Sequence, residues 1–189
     1  MRKEYFSEPA VFFDQDGTLS CWRWVDIDEV KKEGYFRSVL PHDNVITASG
    51  ILTLMGCAVG TYGAAWLEDG HSVDDKDYWM DMHAPHIPKK NRIYVPCGSE
   101  KAAFFEEKTG RRITPSDILI DDNSDVLRSW ESYGGTGIKV RTPENGRYGT
   151  WTGYSFVYDT RPQLIAEYIL YIQKLRSLTS KGAQMASGM

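Results

Sequence analysis

Cysteine is scarce in this chain: three residues of 189, at positions 21, 57 and 97. Three scattered thiols cannot build a disulfide framework or a zinc site, and an odd count fits reduced thiols in a cytoplasmic protein. The four histidines, His42, His71, His83 and His86, form no i, i+4 helical pair with a carboxylate partner, which argues against a zinc site. Long apolar runs are missing as well. No stretch approaches the ~20 residues a membrane span needs, and Met1-Arg2-Lys3-Glu4 leads into no signal-peptide apolar region, so no membrane partner is expected. Nor is there an excess of positive charge. With 22 Lys and Arg against 26 Asp and Glu, the net charge of −4 excludes the global basic field of a duplex nucleic-acid binder. Small anionic ligands stay open, because one metal ion and one lysine can invert a local potential. Internal repeats and Pro/Ser-rich linkers are also absent, so one domain is the economical reading.

What the chain does have is alternation of short apolar runs with amphipathic stretches, and 41% hydrophobic residues suffice for a core. Val11-Phe12-Phe13 reads as a buried strand. Asp43 can cap a helix in which Val45, Ala48, Leu52 and Met55 keep three- and four-residue spacing up to Gly56. Residues 57–60 read as a second strand. Ser72-Val73-Asp74-Asp75 has the spacing of a capping box, which predicts a helix through Tyr78, Trp79 and Met82 that stops before Pro85. A third strand over 92–95 precedes a helix that starts at Gly98 or Ser99 and ends at Gly110. A fourth strand over 118–120 precedes a helix over 124–133, with Gly134 placed to turn left-handed beyond it. A fifth strand over 138–140, a turn-rich loop over 142–154 and an amphipathic helix over 164–175 complete the pattern. Residues 20–42 carry aromatic and charged side chains without a periodic run, among them Cys21-Trp22-Arg23-Trp24, and read as a small cap. The tail from about residue 177 is small and polar and reads as disordered. The expected fold is therefore α/β: a Rossmann-like open parallel sheet with helices on both faces and a small cap inserted after the first strand. Residues 1–176 would form one domain.

The reactive groups sit at or just beyond the ends of these apolar runs, where an open parallel sheet delivers side chains into its carboxyl-end crevice. Asp14-Gln15-Asp16-Gly17-Thr18 follows the first run, Thr61 follows the second, Lys101 opens a helix, and Asp121-Asp122 ends the fourth. Two carboxylates two residues apart can serve one reaction centre, one as nucleophile and the other as proton donor and acceptor. Phosphoryl transfer spreads charge over three oxygens and needs electrophilic partners more than a strong base. Thr61 can donate a hydroxyl hydrogen bond and Lys101 supplies a positive charge. Asp14 with Asp121-Asp122 can hold Mg²⁺ through hard oxygen ligands, which would also relieve the repulsion among four clustered carboxylates.

The ordered set Asp14-x-Asp16-Gly17-Thr18, Thr61, Lys101 and Asp117-x-x-x-Asp121-Asp122 resembles the four motifs of the haloacid-dehalogenase (HAD) superfamily over roughly residues 9–140. The order separates it from response-regulator receivers, in which the acidic pair comes first. A second aspartate two residues after the first resembles the phosphatases and phosphomutases of that superfamily. Val95-Pro96-Cys97-Gly98-Ser99-Glu100-Lys101, the segment from Ile113 to Asp122 and the Gly149-Thr150-Trp151 loop are similar to the 5′(3′)-deoxyribonucleotidase-like branch of bacteria and phages. The resemblance implies a Mg²⁺-dependent phosphomonoesterase acting through an aspartyl-phosphate, with a nucleoside 5′-monophosphate as substrate. Asp14 would be the nucleophile and Asp16 the acid/base. Thr61 and Lys101 would bind phosphoryl oxygens. Asp14, the carbonyl of Asp16, and Asp122 would ligate Mg²⁺, with Asp121 direct or through water. Trp22, eight residues after Asp14, would stack on the base. Gly60-Thr61-Tyr62-Gly63 departs from the more apolar strand of that branch, which leaves Tyr62 beside Thr61 as a candidate for the second motif.

Plainer roles compete for each residue. Asp-Gly pairs form turns, Asp121-Asp122 can cap a helix, Thr61 can be a strand-end hydroxyl, and Trp22 can pack the cap. Asp74-Asp75-Lys76-Asp77 reads as a solvated helix start. Two other functions stay open: a phosphatase of a sugar phosphate or a nucleic-acid 3′-phosphate end, and a catalytically silent nucleotide-binding module.

Overall fold

The computed structural model describes residues 6–22, 25–68, 70–145 and 150–187, with side chains through Thr179. Arg23 and Trp24 of the expected cap, Gly149 of the expected loop, and Met1 to Glu4 lie outside the described residues.

Six strands form one parallel sheet: β1 (Val11–Phe13), β2 (Val59–Ala65), β3 (Arg92–Pro96), β4 (Ile118–Asp121), β5 (Thr136–Arg141) and β6 (Tyr154–Val157), in the order β3-β2-β1-β4-β5-β6. The chain winds outward from β1 to β3, then returns to β4 on the other side of β1. That reversal opens a crevice at the carboxyl ends of β1 and β4, which is where α/β sheets hold their ligands. Val11 pairs in register with both Val59 and Ile118, so β1 is the centre of the sheet and its three side chains are fully buried.

Six helices follow the strands: α1 (Ile27–Val30), α2 (Asp43–Leu54), α3 (His71–His83), α4 (Phe105–Thr109), α5 (Ser124–Ser132) and α6 (Pro162–Ser187). Alternation along the strands sends side chains to two cores. Val11, Phe13, Ile118 and Ile120 pack with Val45 and Leu52 of α2, Trp79 of α3, and Ile165 and Ile169 of α6. Phe12, Tyr62 and Leu119 face Phe105 of α4 and Leu127 and Trp130 of α5, with Phe12 edge-on to Phe105 at 5.7 Å between centroids. Both faces are covered, and this explains why the central strands are apolar without alternation.

Five elements differ from the sequence expectation: the helix read from Gly98 or Ser99 to Gly110 is a 3-10 turn over Lys101–Phe104 followed by α4, α3 starts at His71 behind Gly70 without a Ser72 capping box, and β2, β6 and α6 differ as follows. β2 starts two residues later and runs five residues further, because its glycines and alanines lie between two paired strands where the ladder, not propensity, decides. Gly60 is needed there for close approach, since a Cβ would meet the Phe6 ring at 2.4 Å and the Asn91 carbonyl at 2.6 Å. β6 emerges from the end of the turn-rich stretch; its four residues are too short a run to stand out. The helix expected over 164–175 continues to Ser187 through the stretch read as a disordered tail, since extending a formed helix costs far less than nucleating one.

The 20–42 stretch is a short insert that leaves and re-enters through a bridge between Ser20 and Pro41. Its helix α1 is capped by Asp26, which accepts from the Asp28 amide at 3.0 Å. The insert lies on α3. Asp75, read in sequence as solvated, is fully buried and accepts from the Gly34 amide and Arg37 Nε, both at 2.5 Å, while Trp79 Nε1 donates to the Val39 carbonyl at 2.8 Å. Its neighbour Lys76 is 1% exposed.

Candidate active site

The carboxyl ends of β1 and β4 bring together four of the aspartates singled out in the sequence. The Asp14 amide donates to the Ile120 carbonyl at 2.8 Å, which carries the β1–β4 ladder one residue past the strand and fixes the start of the loop. Gly17 then takes φ +77°, and a Cβ there would fall 2.6 Å from the Asp122 carboxyl carbon. Asp121 ends β4, and its Oδ1 accepts from the Asn123 amide at 2.8 Å. The Asn123 side chain in turn caps α5 by accepting from the Asp125 amide at 2.9 Å. Lys101 opens a 3-10 turn (Lys101–Phe104), and its Nζ lies 2.7 Å from both Asp14 Oδ1 and Asp121 Oδ2.

Burial sets the charge balance. Taking Asp122 out of water, with Asp121 and Asp14 beside it, pushes its carboxyl up to about 7. Asp121 is pushed up to about 6 by burial, against the opposing pull of Lys101. Burial alone would lower the Lys101 ammonium, but the two carboxylates it bridges hold it above its usual range and therefore charged. Burial also raises Asp16, and Lys76 opposes that rise.

Asp14, Asp121 and Asp122 each offer one carboxylate oxygen, and these lie within 4.8 Å of one another. An all-oxygen, anionic donor set of this size fits Mg²⁺, and a cation would offset the burial, and after it the mutual repulsion, that raise Asp121 and Asp122. Both Asp121 oxygens already accept from Lys101 and Asn123, which leaves Asp14 and Asp122 as the better direct ligands.

A cavity of about 610 Å³ opens over these groups, lined by Asp14, Asp16, Lys101, Asp121 and Asp122, with half-buried Trp22 on its wall. Thr61 and Tyr62 are not brought to it. In register Thr61 lies beside Phe13, one residue short of Asp14; it is fully buried, and its hydroxyl finds no partner among the described residues. Tyr62 points into the aromatic core, and its hydroxyl donates to the Lys101 carbonyl at 3.0 Å. Because β2 runs on to Ala65, the residue that reaches the cavity is Ala64, which has no hydroxyl. The sequence reading missed three neighbours. Asn145 Nδ2 donates to Asp122 Oδ2 at 3.2 Å and to the Val140 carbonyl at 3.1 Å, Glu144 lines the cavity mouth, and Lys76 donates to Asp16 Oδ2. Only Lys76 left a trace in sequence, as a charge on the inward stripe of α3.

No protein-family model matches the chain, and no curated protein does. Solved structures do. The chain is similar to a D,D-heptose 1,7-bisphosphate phosphatase from B. bronchiseptica, complexed with magnesium and phosphate, at TM-score 0.63 and 14% identity over 87% of this chain and 99% of that one. The two chains share a fold. A heptose bisphosphate phosphatase from Burkholderia thailandensis aligns at TM-score 0.57 and 15% identity, over 86% of this chain and 99% of its own. A HAD-superfamily hydrolase from Ehrlichia chaffeensis aligns at TM-score 0.54 and 12% identity, over 86% and 96%. At such identities the likeness is one of fold. Among the described residues, no helix is long and apolar enough to cross a membrane.

Proposed function

We propose that this chain is a Mg²⁺-dependent phosphomonoesterase acting through an aspartyl-phosphate on Asp14, with a nucleoside 5′-monophosphate as its substrate. The observation that carries the reading is Lys101 Nζ, held 2.7 Å from both Asp14 and Asp121 above the three-carboxylate group. A nucleophile, a fixed cation and a place for a divalent ion converge at one cavity, as phosphoryl transfer requires.

In this reading an Asp14 oxygen attacks phosphorus and the bond from phosphorus to the leaving oxygen breaks. Asp16 gives its proton to that oxygen, then takes a proton from the water that hydrolyses the aspartyl-phosphate. Lys101 orients Asp14 and meets the charge that develops on the phosphoryl oxygens. Mg²⁺, held by Asp14, Asp122 and the Asp16 carbonyl with Asp121 alongside, would add positive charge at the same oxygens. The 20–42 insert serves as the cap, and Trp22 on the cavity wall offers a face for a nucleobase.

One observation favours a second reading. Ala64 leaves the β2 wall of the cavity without the hydroxyl that the motif pattern leads one to expect, and this weakens the phosphate cradle. A binding module without turnover is consistent with that loss.

Phosphate release measured over nucleoside monophosphates, sugar phosphates and 3′-phosphorylated oligonucleotides, with and without Mg²⁺, decides between them. Turnover of nucleoside monophosphates that disappears in chelator and in Asp14→Asn is the expected result. Binding without release on every substrate supports the module. Undiminished hydrolysis by metal-stripped protein refutes the mechanism.

A further inference from the structure

Ser72, Asp75, Lys76, Trp79 and Met80 are the buried residues of α3. Their spacing is that of the stripe a surface helix normally fills with apolar side chains, yet two of the five carry charge. Asp75 is accounted for by the insert it grips. Lys76 needs its own explanation, because an ammonium removed from water must be paired and hydrogen-bonded.

Its contacts come from three parts of the molecule. Lys76 Nζ donates to Asp16 Oδ2 in the loop after β1, and to the Ala64 carbonyl on β2 at 2.7 Å. It also lies 4.4 Å from the centre of the Phe36 ring, a buried residue of the insert. Lys101 is committed elsewhere, to Asp14 and Asp121. Asp16 and Asp122 are the two half-buried aspartates of the cavity, with 22% of the Asp16 side chain exposed against 10% for Asp14 and 1% for Asp121. An aspartate at the edge of a cavity can turn toward solvent or toward the metal group unless something holds it.

We propose that Lys76 is a positioning residue for proton transfer: it anchors Asp16 Oδ2 so that Oδ1 is the oxygen offered to the leaving group. The inference rests on the phosphomonoesterase reading. Lys76 keeps its own protons throughout; the transferred proton travels between Asp16 Oδ1 and the leaving oxygen, and later from water to Asp16. The Phe36 ring couples this anchor to the seating of the insert, so the segment that carries Trp22 to the cavity wall also helps to aim the acid.

A purely structural lysine and a positioning lysine differ in one measurable way. Loss of the acid's aim harms esters in proportion to how much their leaving group needs a proton, whereas loss of packing harms all esters alike. Phenyl phosphate and p-nitrophenyl phosphate are of similar shape but differ in that need. Measured with Mg²⁺ at matched folded fraction, Lys76→Met should lower kcat on phenyl phosphate at least ~tenfold more than on p-nitrophenyl phosphate, with KM within about twofold on both. Lys76→Gln, which keeps one donor and serves if the Met variant does not fold, should show the same selectivity in smaller measure. In an Asp16→Asn background, Lys76→Met should leave the ratio of the two rates unchanged, since the group it aims is gone. Equal losses on both esters, or a further selective loss in the Asp16→Asn background, would overturn the assignment while leaving the enzyme reading intact. Wild-type protein that releases phosphate from neither ester nor from any nucleoside monophosphate, sugar phosphate or 3′-phosphorylated oligonucleotide removes the phosphomonoesterase reading and this inference with it.

Discussion

Gly17 leaves to the Asp122 carboxylate the space its own side chain would fill: a Cβ on Gly17 would lie 2.6 Å from the Asp122 carboxyl carbon, and the glycine holds φ +77°. The turn after the first strand and the end of the fourth are therefore fitted together at one atom. Gly17→Ala should destabilise the fold by ~1–3 kcal/mol for the strained backbone alone. It should also push the Asp122 carboxylate away from Asp14 and Asp121, so that Mg²⁺ binding, read by calorimetry on the folded fraction, weakens. An alanine variant with wild-type melting temperature and Mg²⁺ affinity would show that the contact is of no consequence.

The buried, partnerless hydroxyl of Thr61 leads to an unusual expectation for a residue singled out by its motif position. An unpaired buried hydroxyl costs about 1–3 kcal/mol, and valine has nearly the same shape without it. Thr61→Val should leave the melting temperature unchanged or raise it, and leave kcat within about twofold, since a group outside the cavity has no step to lose. A kcat reduced by orders of magnitude would return Thr61 to the phosphate cradle.

These two residues also mark how far the sequence could be read. The aspartates and Lys101 were legible because each follows an apolar run or opens a helix, and a parallel sheet brings such positions to one edge. Thr61 was misplaced because Gly60 and Gly63 interrupt the run that defines β2. Glycine ends a strand in a one-dimensional pattern but not between two paired neighbours, and five further residues carried the strand end to Ala64 and beyond. Lys76 was misread for a related reason. A charge cluster at a helix start is usually solvated, and only the insert folding back over α3 made Asp75 and Lys76 interior. β6 and the far end of α6 depend on pairing and propagation, which short windows of sequence do not contain.

The raised carboxylates fix a pH dependence. Asp121 and Asp122 stand at about 6 and about 7 in the fold, above their usual 3.8. Between the ordinary value and the raised one the folded state binds more protons than the unfolded state, so these groups favour folding at low pH and lose that contribution as pH rises through about 6 to 7. Metal-free protein should therefore melt at progressively lower temperature from about pH 5 to about pH 8. Saturating Mg²⁺ should reverse the trend, because ligands must shed protons to bind and an ion that binds only the folded state stabilises it. Parallel melting profiles with and without Mg²⁺ would disconnect the three carboxylates from the metal.

Trp22 carries the choice of substrate. It is half-buried on the wall of the cavity that Asp14 and Asp16 also line, so its indole can either pack the insert or present a face to a ligand. Stacking on a nucleobase is worth ~1–3 kcal/mol and tolerates different bases. Trp22→Ala should accordingly raise KM for nucleoside monophosphates by roughly tenfold or more, at ~1.4 kcal/mol per factor of ten. KM for p-nitrophenyl phosphate, which has no base to stack, should change little. An indole that only packs the insert would instead lower the melting temperature and weaken both substrates together. Kinetics at matched folded fraction separate the two: parallel losses, or a wild-type preference for sugar phosphates over every nucleotide, would remove the nucleotide assignment and leave the aspartyl-phosphate chemistry of Asp14 and Lys101 in place.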